Sequence, residues 1–251
     1  KLDQATDHLK PAWFFLRRAT DPKPAGVIIF VAVLLLGLGL WKGADIQIGD
    51  MHSGVPELRT DSRYNLDTQA ITDHFSIGVD VISVIVETEP DGCIDYEIMN
   101  EIDTFAWRMQ NVPGVQSVIS LPQVGKVINA GWNEGSLEWR VLPRNQATMV
   151  QAVSYVPTSS GLLNSDCSAM PVMIFTEDHK AQTIDRIVAA VKEYRAQTPN
   201  QRLSYNLATG NVGVMAATNE EVDASQYPIL LFVFLAVILL CYNEFRSIRA
   251  V

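Results

Sequence analysis

The sequence has little positive charge and few cysteine or histidine residues, and these shortages exclude several classes of function. Its 251 residues carry 19 Lys+Arg against 28 Asp+Glu. This net charge of −9 argues against nucleic acid as a partner, because binding a phosphate backbone requires clustered basic residues. There is no Gly-x-Ser-x-Gly elbow, and residues 209–213 (TGNVG) lack the glycine spacing of a nucleotide-binding loop. We therefore expect no enzyme, no catalytic residues and no cofactor.

Histidine and cysteine are also too sparse for a metal centre. The three cysteines and four histidines lack the paired spacing that forms a closed zinc site. Two groups come closest to a ligand set: His52 with Asp50 and Glu57, and His179 with Glu177 and Asp178. Because neither group has a second His or Cys at ligand spacing, we expect no bound metal.

Apolar residues, in contrast, are concentrated in two long runs. Residues 26–40 and residues 229–241 contain no charged or strongly polar side chain. With their flanks they extend to 24–41 and 227–242, lengths that predict two transmembrane helices with aromatic residues at the interfaces. Buried core helices are the alternative for runs this short. A signal peptide fits the first run poorly, because no small-residue cleavage site follows it.

The charges around these runs predict how the chain is oriented. Residues 1–25 hold five Lys+Arg against three Asp, and residues 243–251 hold two Arg against one Glu, so both ends are expected in the cytoplasm. The stretch between the runs, with 12 basic and 24 acidic residues, is then exoplasmic, which in a bacterium is the periplasm. Within residues 1–23, the residues Leu9, Trp13 and Leu16 share a helical face, as in an interfacial amphipathic helix. A plain cytoplasmic linker is the alternative.

The exoplasmic stretch, 42–226, repeats a strand-helix-strand pattern. Residues 79–88 (VDVISVIVET) predict a strand buried on both faces. An amphipathic helix follows at 94–110, with apolar positions that step by four, three and four: Ile98, Ile102, Phe105 and Met109. Residues 115–121 predict the second strand.

The same order recurs nearer the C-terminus. Residues 171–175 predict a third strand, 178–197 a second amphipathic helix and 203–209 a last strand with clean alternation. A βαββαβ order of this kind predicts an α+β, ferredoxin-like domain with a four-stranded antiparallel sheet, in which the first and third strands are central neighbours. Both helices are expected on one face of the sheet.

A long insertion, residues 122–169, separates the two halves. It contains Trp132, Trp139 and several Gly and Pro residues, with helix expected around 122–130 and 144–154. Insertions of this length are uncommon unless they serve binding or assembly. We expect Trp132 and Trp139 to contribute to a path for a hydrophobic or amphiphilic molecule, because two Trp offer large contact area. The alternative is that both rings cover the sheet.

The cysteines leave one pairing open. Cys93 and Cys167 both fall in the exoplasmic stretch, where a disulfide can persist, whereas Cys241 lies in the second apolar run. We expect the end of the first strand and the start of the third to lie at opposite ends of the sheet. A Cys93–Cys167 disulfide would then require the insertion to fold back across the sheet, and we expect this disulfide to form.

The order of these elements along the chain resembles that of a known protein family. An apolar helix precedes residues 61–75 (DSRYNLDTQAITDHF), which lead into the first strand. The first amphipathic helix is closed by residues 111–121 (NVPGVQSVISL), and the second apolar helix is entered from residues 219–221 (NEE). This order resembles the exoplasmic porter region of the resistance-nodulation-division (RND) superfamily, specifically the MMPL-type and HAE2-type permeases.

The resemblance implies a proton-driven exporter of hydrophobic or amphiphilic molecules, located in the bacterial inner membrane. This chain would supply one membrane helix, its periplasmic loop and the next helix, as a fragment of the second half of a longer transporter. Its implied partners are membrane lipids, the remainder of the transporter, the substrate and a second copy of the chain. The loop is too short for the docking subdomain of trimeric drug pumps, and the proton-relaying carboxylates of the family belong to other helices.

We expect the second apolar helix to run from about residue 219 through residue 242 and to act as a lever, with Pro228 as its hinge. Two other kinds of protein share the plan of helix, exoplasmic domain and helix. One is the two-helix membrane sensor, which needs a signalling module after the second helix. The other is the polysaccharide chain-length regulator, which carries long helical arms and a proline-rich second helix. The βαβ repeat favours the exporter over both.

Overall fold

The structure is a computed structural model that describes residues 22–43, 48–50, 54–55 and 58–246. The chain divides into two compact units, residues 1–47 and 48–251. The described part of the first unit is one helix, α1 (Pro22–Gly43), whose apolar side chains are exposed along its length. Nearly all of the expected amphipathic segment 1–23 lies outside the described residues.

The second unit is a mixed α+β domain that ends in a long helix. A short helix, α2 (Arg63–His74), precedes the sheet, and within the described residues single 3₁₀ turns occur at Gly92–Ile94, Leu137–Trp139 and Thr158–Ser160. The other elements follow in chain order: β1 (Val81–Thr88), α3 (Tyr96–Gln110), β2 (Val115–Ile119), α4 (Leu121–Trp132), α5 (Gln146–Ser154), β3 (Ala169–Thr176), α6 (Ala181–Gln197), β4 (Leu203–Thr209) and α7 (Asn211–Phe245).

The four strands form one antiparallel sheet in the order β2-β3-β1-β4. The first and third strands are therefore the central neighbours, as the sequence predicted, and Val84 lies opposite Val172. Because β1 and β3 run in opposite directions, the end of β1 adjoins the start of β3, with Glu87 opposite Ala169.

One face of the sheet carries the hydrophobic core. Alternate residues of β1 and β3 are buried there, and an aromatic cluster of Phe105, Tyr194 and Tyr205 joins α3, α6 and β4. Each large apolar side chain buried in this way contributes about 1.5–3 kcal/mol to folding. The alternate residues of β1 on the other face are half-buried or, at Glu87, exposed, so the expectation that this strand is buried on both faces is wrong. A β-branched run cannot by itself distinguish one covered face from two.

The observed bounds differ from the predicted ones by a few residues, and a side-chain cap accounts for one of these differences. The helix predicted at 94–110 begins at Tyr96, because the Asp95 side chain accepts hydrogen bonds from the N–H groups of Glu97 and Ile98 and so caps it. Strand β1 begins at Val81 rather than residue 79, and β3 extends one or two residues beyond 171–175 at each end. The insertion folds into α4 and α5, close to the two helices expected within it.

A single glycine joins the sheet to the last helix. Gly210 has a φ of 96°, and a Cβ added there would collide with the Val81 carbonyl oxygen. Helix α7 begins at the next residue, Asn211. It continues for 35 residues, through Pro228, to Phe245. By length and composition, α1 from Pro24 and α7 are apolar enough to cross a membrane.

Candidate functional site

A cleft of about 580 Å³ lies between α3, α4 and the segment that follows the second 3₁₀ turn, residues 139–145. This segment is called the strap below. The cleft is at the end of the sheet where β1 ends and β3 begins, far from the start of α7. Its lining combines aromatic, amide and charged side chains: Tyr96, Asn100, Asp103, Lys126, Asn129, Trp139, Arg140, Val141, Leu142, Pro143, Arg144, Asn145 and Thr148.

A buried amide holds the strap in place. Asn129 of α4 is 5% exposed, and its Nδ2 donates hydrogen bonds to the carbonyl oxygens of Trp139, at 2.8 Å, and Val141, at 3.1 Å. Leu142, the next residue along the strap, is buried in the hydrophobic core. The strap is thus held to α4 by its backbone carbonyls and to the hydrophobic core by Leu142. Its charged side chains, Arg140 and Arg144, face solvent.

An ion pair crosses the cleft from α4 to α3. Lys126 Nζ lies 2.5 Å from Asp103 Oδ2, and both side chains are mostly buried. Removing only one partner of such a pair strongly destabilises the fold, because the other charge stays buried without a counter-charge. Lys126 and Asp103 therefore neutralise each other and fix the spacing of the two helices.

At one end of the cleft, Arg144 closes over an aromatic ring. Its guanidinium lies 5.7 Å from the centre of the Tyr96 ring, within cation–π range. Beyond this contact is a second cavity, of about 620 Å³, which contains Glu89, Asp91, Asp95 and Glu97. Arg202 pairs with Asp95 at 2.6 Å, and this hydrogen bond lowers the pKa of the Asp95 carboxyl. The second cavity is therefore acidic.

The two tryptophans predicted to line a substrate path lie in different surroundings. Trp139 lines the cleft and is 51% exposed. Trp132 is the last residue of α4, is 56% exposed, and packs against Tyr155 with 5.4 Å between ring centres; it does not line this cleft. Neither ring belongs to the hydrophobic core.

A disulfide joins Cys93 and Cys167 at the same end of the sheet. The expectation that these positions lie at opposite ends of the sheet is wrong. Strands β1 and β3 are antiparallel, so a residue after the end of β1 and one before the start of β3 are neighbours, with Cα atoms 5.4 Å apart. The disulfide needs no fold-back of the insertion, and it closes the base of the segment that contains the cleft.

His179 occupies the other end of the sheet. It is 8% exposed, with Nδ1 3.0 Å from Asp80 Oδ2 and Nε2 2.9 Å from the Gly54 carbonyl oxygen. The hydrogen bond to Asp80 raises the pKa of His179, although burial opposes it. His179 is thus paired with Asp80 rather than with its sequence neighbours Glu177 and Asp178. Among the described residues no three His, Cys, Asp or Glu side chains could hold a metal ion, and His52 and Glu57 lie outside that part of the chain.

The start of α7 is attached to the sheet near His179. The Asn211 side chain accepts hydrogen bonds from the Val81 and Val212 N–H groups, at 3.4 and 2.9 Å, and Val212 is fully buried. Lys192 of α6 pairs with Glu220 of α7 at 2.8 Å. Pro228 lies inside the helix, where it has no N–H to donate to the Ala224 carbonyl.

Sequence patterns did not reveal several of these residues. Arg140 and Arg144 stand in a stretch without periodicity, and only the tryptophan and prolines around them marked it. No sequence pattern marked Asn129 as buried, because an asparagine in a helix looks the same in the sequence whether its amide is buried or exposed to solvent. The Asp80–His179 pair joins residues far apart in sequence, and no motif links them. Searches against protein-family models and against curated proteins found no match to this chain.

Proposed function

We propose that this chain supplies a periplasmic porter-like domain and its two anchoring helices to a proton-driven exporter of the RND type, acting on hydrophobic or amphiphilic molecules. The observation that carries the proposal is the one-residue joint between β4 and α7. It attaches a sheet domain, through a single residue, to a helix whose first half is polar and whose second half is apolar. Movement of such a helix is transmitted to the sheet without a flexible linker.

The strand order gives further support. An antiparallel sheet in the order β2-β3-β1-β4, with α3 and α6 following β1 and β3, is the arrangement expected of a ferredoxin-like domain. The cleft lies near the end of β1 and the joint beside its start, and the eight-residue strands β1 and β3 span about 23 Å at 3.3 Å per step. A substrate bound there would be held away from the membrane, on the export side.

The energy for transport must enter elsewhere in the parent transporter. Residues 26–40 of α1 and 229–241 of α7 contain no Asp, Glu, Lys, Arg or His. Proton pathways within membranes depend on such groups. The role proposed for this chain is therefore substrate contact and mechanical coupling, with α7 as the lever and Pro228 as its hinge.

Labelling from one side of the membrane tests the proposed orientation. In a Cys241→Ser background, Ser159→Cys places a thiol on an exposed turn of the domain, and Arg246→Cys places one at the far end of α7. We expect a membrane-impermeant maleimide to label position 159 in spheroplasts and position 246 only after lysis. The reverse pattern would exclude a periplasmic domain.

Reconstitution tests the activity itself. Proteoliposomes that contain the parent protein are expected to move an amphiphilic dye only when a pH gradient is imposed. A two-helix sensor, the alternative with the same membrane plan, would move no dye under either condition. Sequencing the reading frame on both sides of this segment would add an independent check, since the proposal expects ten further membrane helices.

A further inference from the structure

The cleft carries positive charge in an acidic protein. Three cations line it, Lys126, Arg140 and Arg144, against the single carboxylate of Asp103. Since Lys126 and Asp103 neutralise each other, the two arginines account for the excess. Both arginines are exposed, and neither has a carboxylate partner among the residues that the structure describes. In a chain of net charge −9, this concentration of unpaired guanidinium groups favours an anionic ligand.

An apolar trough continues from the cleft. A neighbouring cavity of about 580 Å³ shares Lys126 and Arg140 with the cleft, and contains no carboxylate. The rest of its lining is two glutamines and four aliphatic side chains: Gln110, Gln123, Val118, Ile119, Val124 and Val127. Lys126 and Arg140 thus stand where the cleft meets a cavity without a carboxylate.

The opposite side of the cleft does not suit an anion. Beyond the Arg144–Tyr96 contact, the second cavity holds four carboxylates against Arg144 and Arg202. An anionic group that moved past Arg144 would meet this negative charge. The charge pattern therefore restricts an anionic group to the cleft and directs any attached chain into the trough.

We infer that the cleft and trough form a binding site for an anionic amphiphile, with a phosphate or carboxylate head at Arg140 and Arg144 and an alkyl chain along Val124 and Val127. The planar guanidinium fork matches both kinds of head group by paired charge-assisted hydrogen bonds. An alkyl chain that lies in the apolar trough is removed from water, and this burial favours binding. This inference deepens the proposed export function by naming the charge of its substrate, and it depends on that proposal only for the membrane as the ligand's source.

Binding of decyl phosphate to the full chain in zwitterionic lipid nanodiscs tests the site. Calorimetric titrations would be corrected with empty nanodiscs and repeated with decyltrimethylammonium and with inorganic phosphate. The Arg140→Gln/Arg144→Gln variant is expected to weaken decyl phosphate binding roughly tenfold or more, the effect of losing charge-assisted hydrogen bonds. The matched control, Arg59→Gln/Arg63→Gln, removes the same charge from an exposed surface outside the cavity and should leave binding unchanged.

A second pair of variants tests the trough. Val127 is half-exposed, so Val127→Asn should fold normally and weaken decyl phosphate without affecting inorganic phosphate. Val150→Asn, at an exposed position of α5, is the control. Equal binding of decyltrimethylammonium and decyl phosphate, or equal losses in the two arginine variants, would overturn the anionic assignment. Equal affinity for decyl phosphate and inorganic phosphate would show that the alkyl chain adds nothing to binding, and would overturn the assignment of the ligand as an amphiphile. Because no transport is measured, these outcomes are independent of whether the parent protein is an exporter.

Discussion

His179 Nδ1 lies 3.0 Å from Asp80 Oδ2, while the other ring nitrogen of His179 lies 2.9 Å from the Gly54 carbonyl oxygen. A carboxylate and a carbonyl can only accept, so both contacts are satisfied together when the imidazole is protonated and donates from both nitrogens. Around this group, Asp50 adds negative charge, while Asp178 is paired with Lys180 at 2.8 Å. The environment therefore favours the imidazolium.

This arrangement predicts a domain that is more stable at mildly acidic pH. The pKa of His179 is raised above its ordinary value of 6.5. Its contribution to stability is therefore complete below about pH 6.5 and is lost as pH rises through the folded-state pKa. We expect His179→Ala to lower the free energy of unfolding by about 1–2 kcal/mol at pH 5.5 and by less at pH 8.5. Thermal melts of the full chain at the two pH values measure this.

His74 supplies the matched control for this prediction. Its Nδ1 contacts a carbonyl of its own helix, α2, and the side chain is exposed, so His74→Ala should lower the free energy of unfolding at pH 5.5 by less than His179→Ala does. A loss in His179→Ala that is as large at pH 8.5 as at pH 5.5 would show that the side chain contributes by packing alone.

The Cys93–Cys167 disulfide predicts a redox-dependent stability. The bond closes a chain segment with a sequence separation of 74 residues, and loops of this size lose substantial entropy when closed in the unfolded state. Replacing both cysteines by serine should lower the free energy of unfolding by about 2–4 kcal/mol. Dithiothreitol should lower the melting temperature of the wild-type chain and not that of the double variant, while Cys241→Ser should respond like wild type.

Trp139 and Trp132 are expected to differ in transport. Because Trp139 lines the cleft and Trp132 packs against Tyr155 outside it, Trp139→Ala should reduce efflux of the substrate by the parent exporter more than Trp132→Ala does. Trp107→Ala is the control, since that ring is exposed on α3 and lines none of the cavities described above. Unchanged efflux in both Trp132→Ala and Trp139→Ala, with folding intact, would remove tryptophan from the substrate path.

Pro228 is expected to set the rate of transport more than substrate affinity. In Pro228→Ala the restored N–H can bond to the Ala224 carbonyl, which stiffens α7 where it enters its apolar half. Turnover in proteoliposomes should change while the Kd for substrate stays the same. Pro199→Ala, in the exposed loop before β4, should change neither. A fall in affinity with normal turnover of bound substrate would contradict the lever.

Local patterns predicted the sheet well because its strands repeat a simple alternation. Strand β4 has the bounds 203–209 that the alternation of Leu203, Tyr205 and Leu207 indicated. The apolar positions from Ile98 to Met109 are all buried in α3, as a stripe of that spacing implies. These features depend on neighbours within one turn or one strand, which a single sequence contains.

The cleft could not be predicted in the same way, because its residues are brought together by tertiary contacts. The position of Arg140 and Arg144 depends on the Asn129 hydrogen bonds to the strap, and neither end of those bonds has a recognisable pattern. The Cys93–Cys167 disulfide was anticipated, whereas the strand ends beside it were misplaced for a different reason. The antiparallel pairing of β1 with β3, which the sequence predicted, requires the end of β1 to meet the start of β3, so the expectation of opposite ends was inconsistent with that pairing.

The order of strands also affects how the chain folds during synthesis. Strand β1 is central, yet one of its partners, β4, is the last strand to be made, directly before α7. At a typical synthesis rate, β1 is complete on the order of ten seconds before β4 exists. For that interval one edge of an apolar strand has no partner, a state in which strands pair with the wrong chain. The newly made domain therefore passes through a period of aggregation risk that ends only when residue 209 emerges.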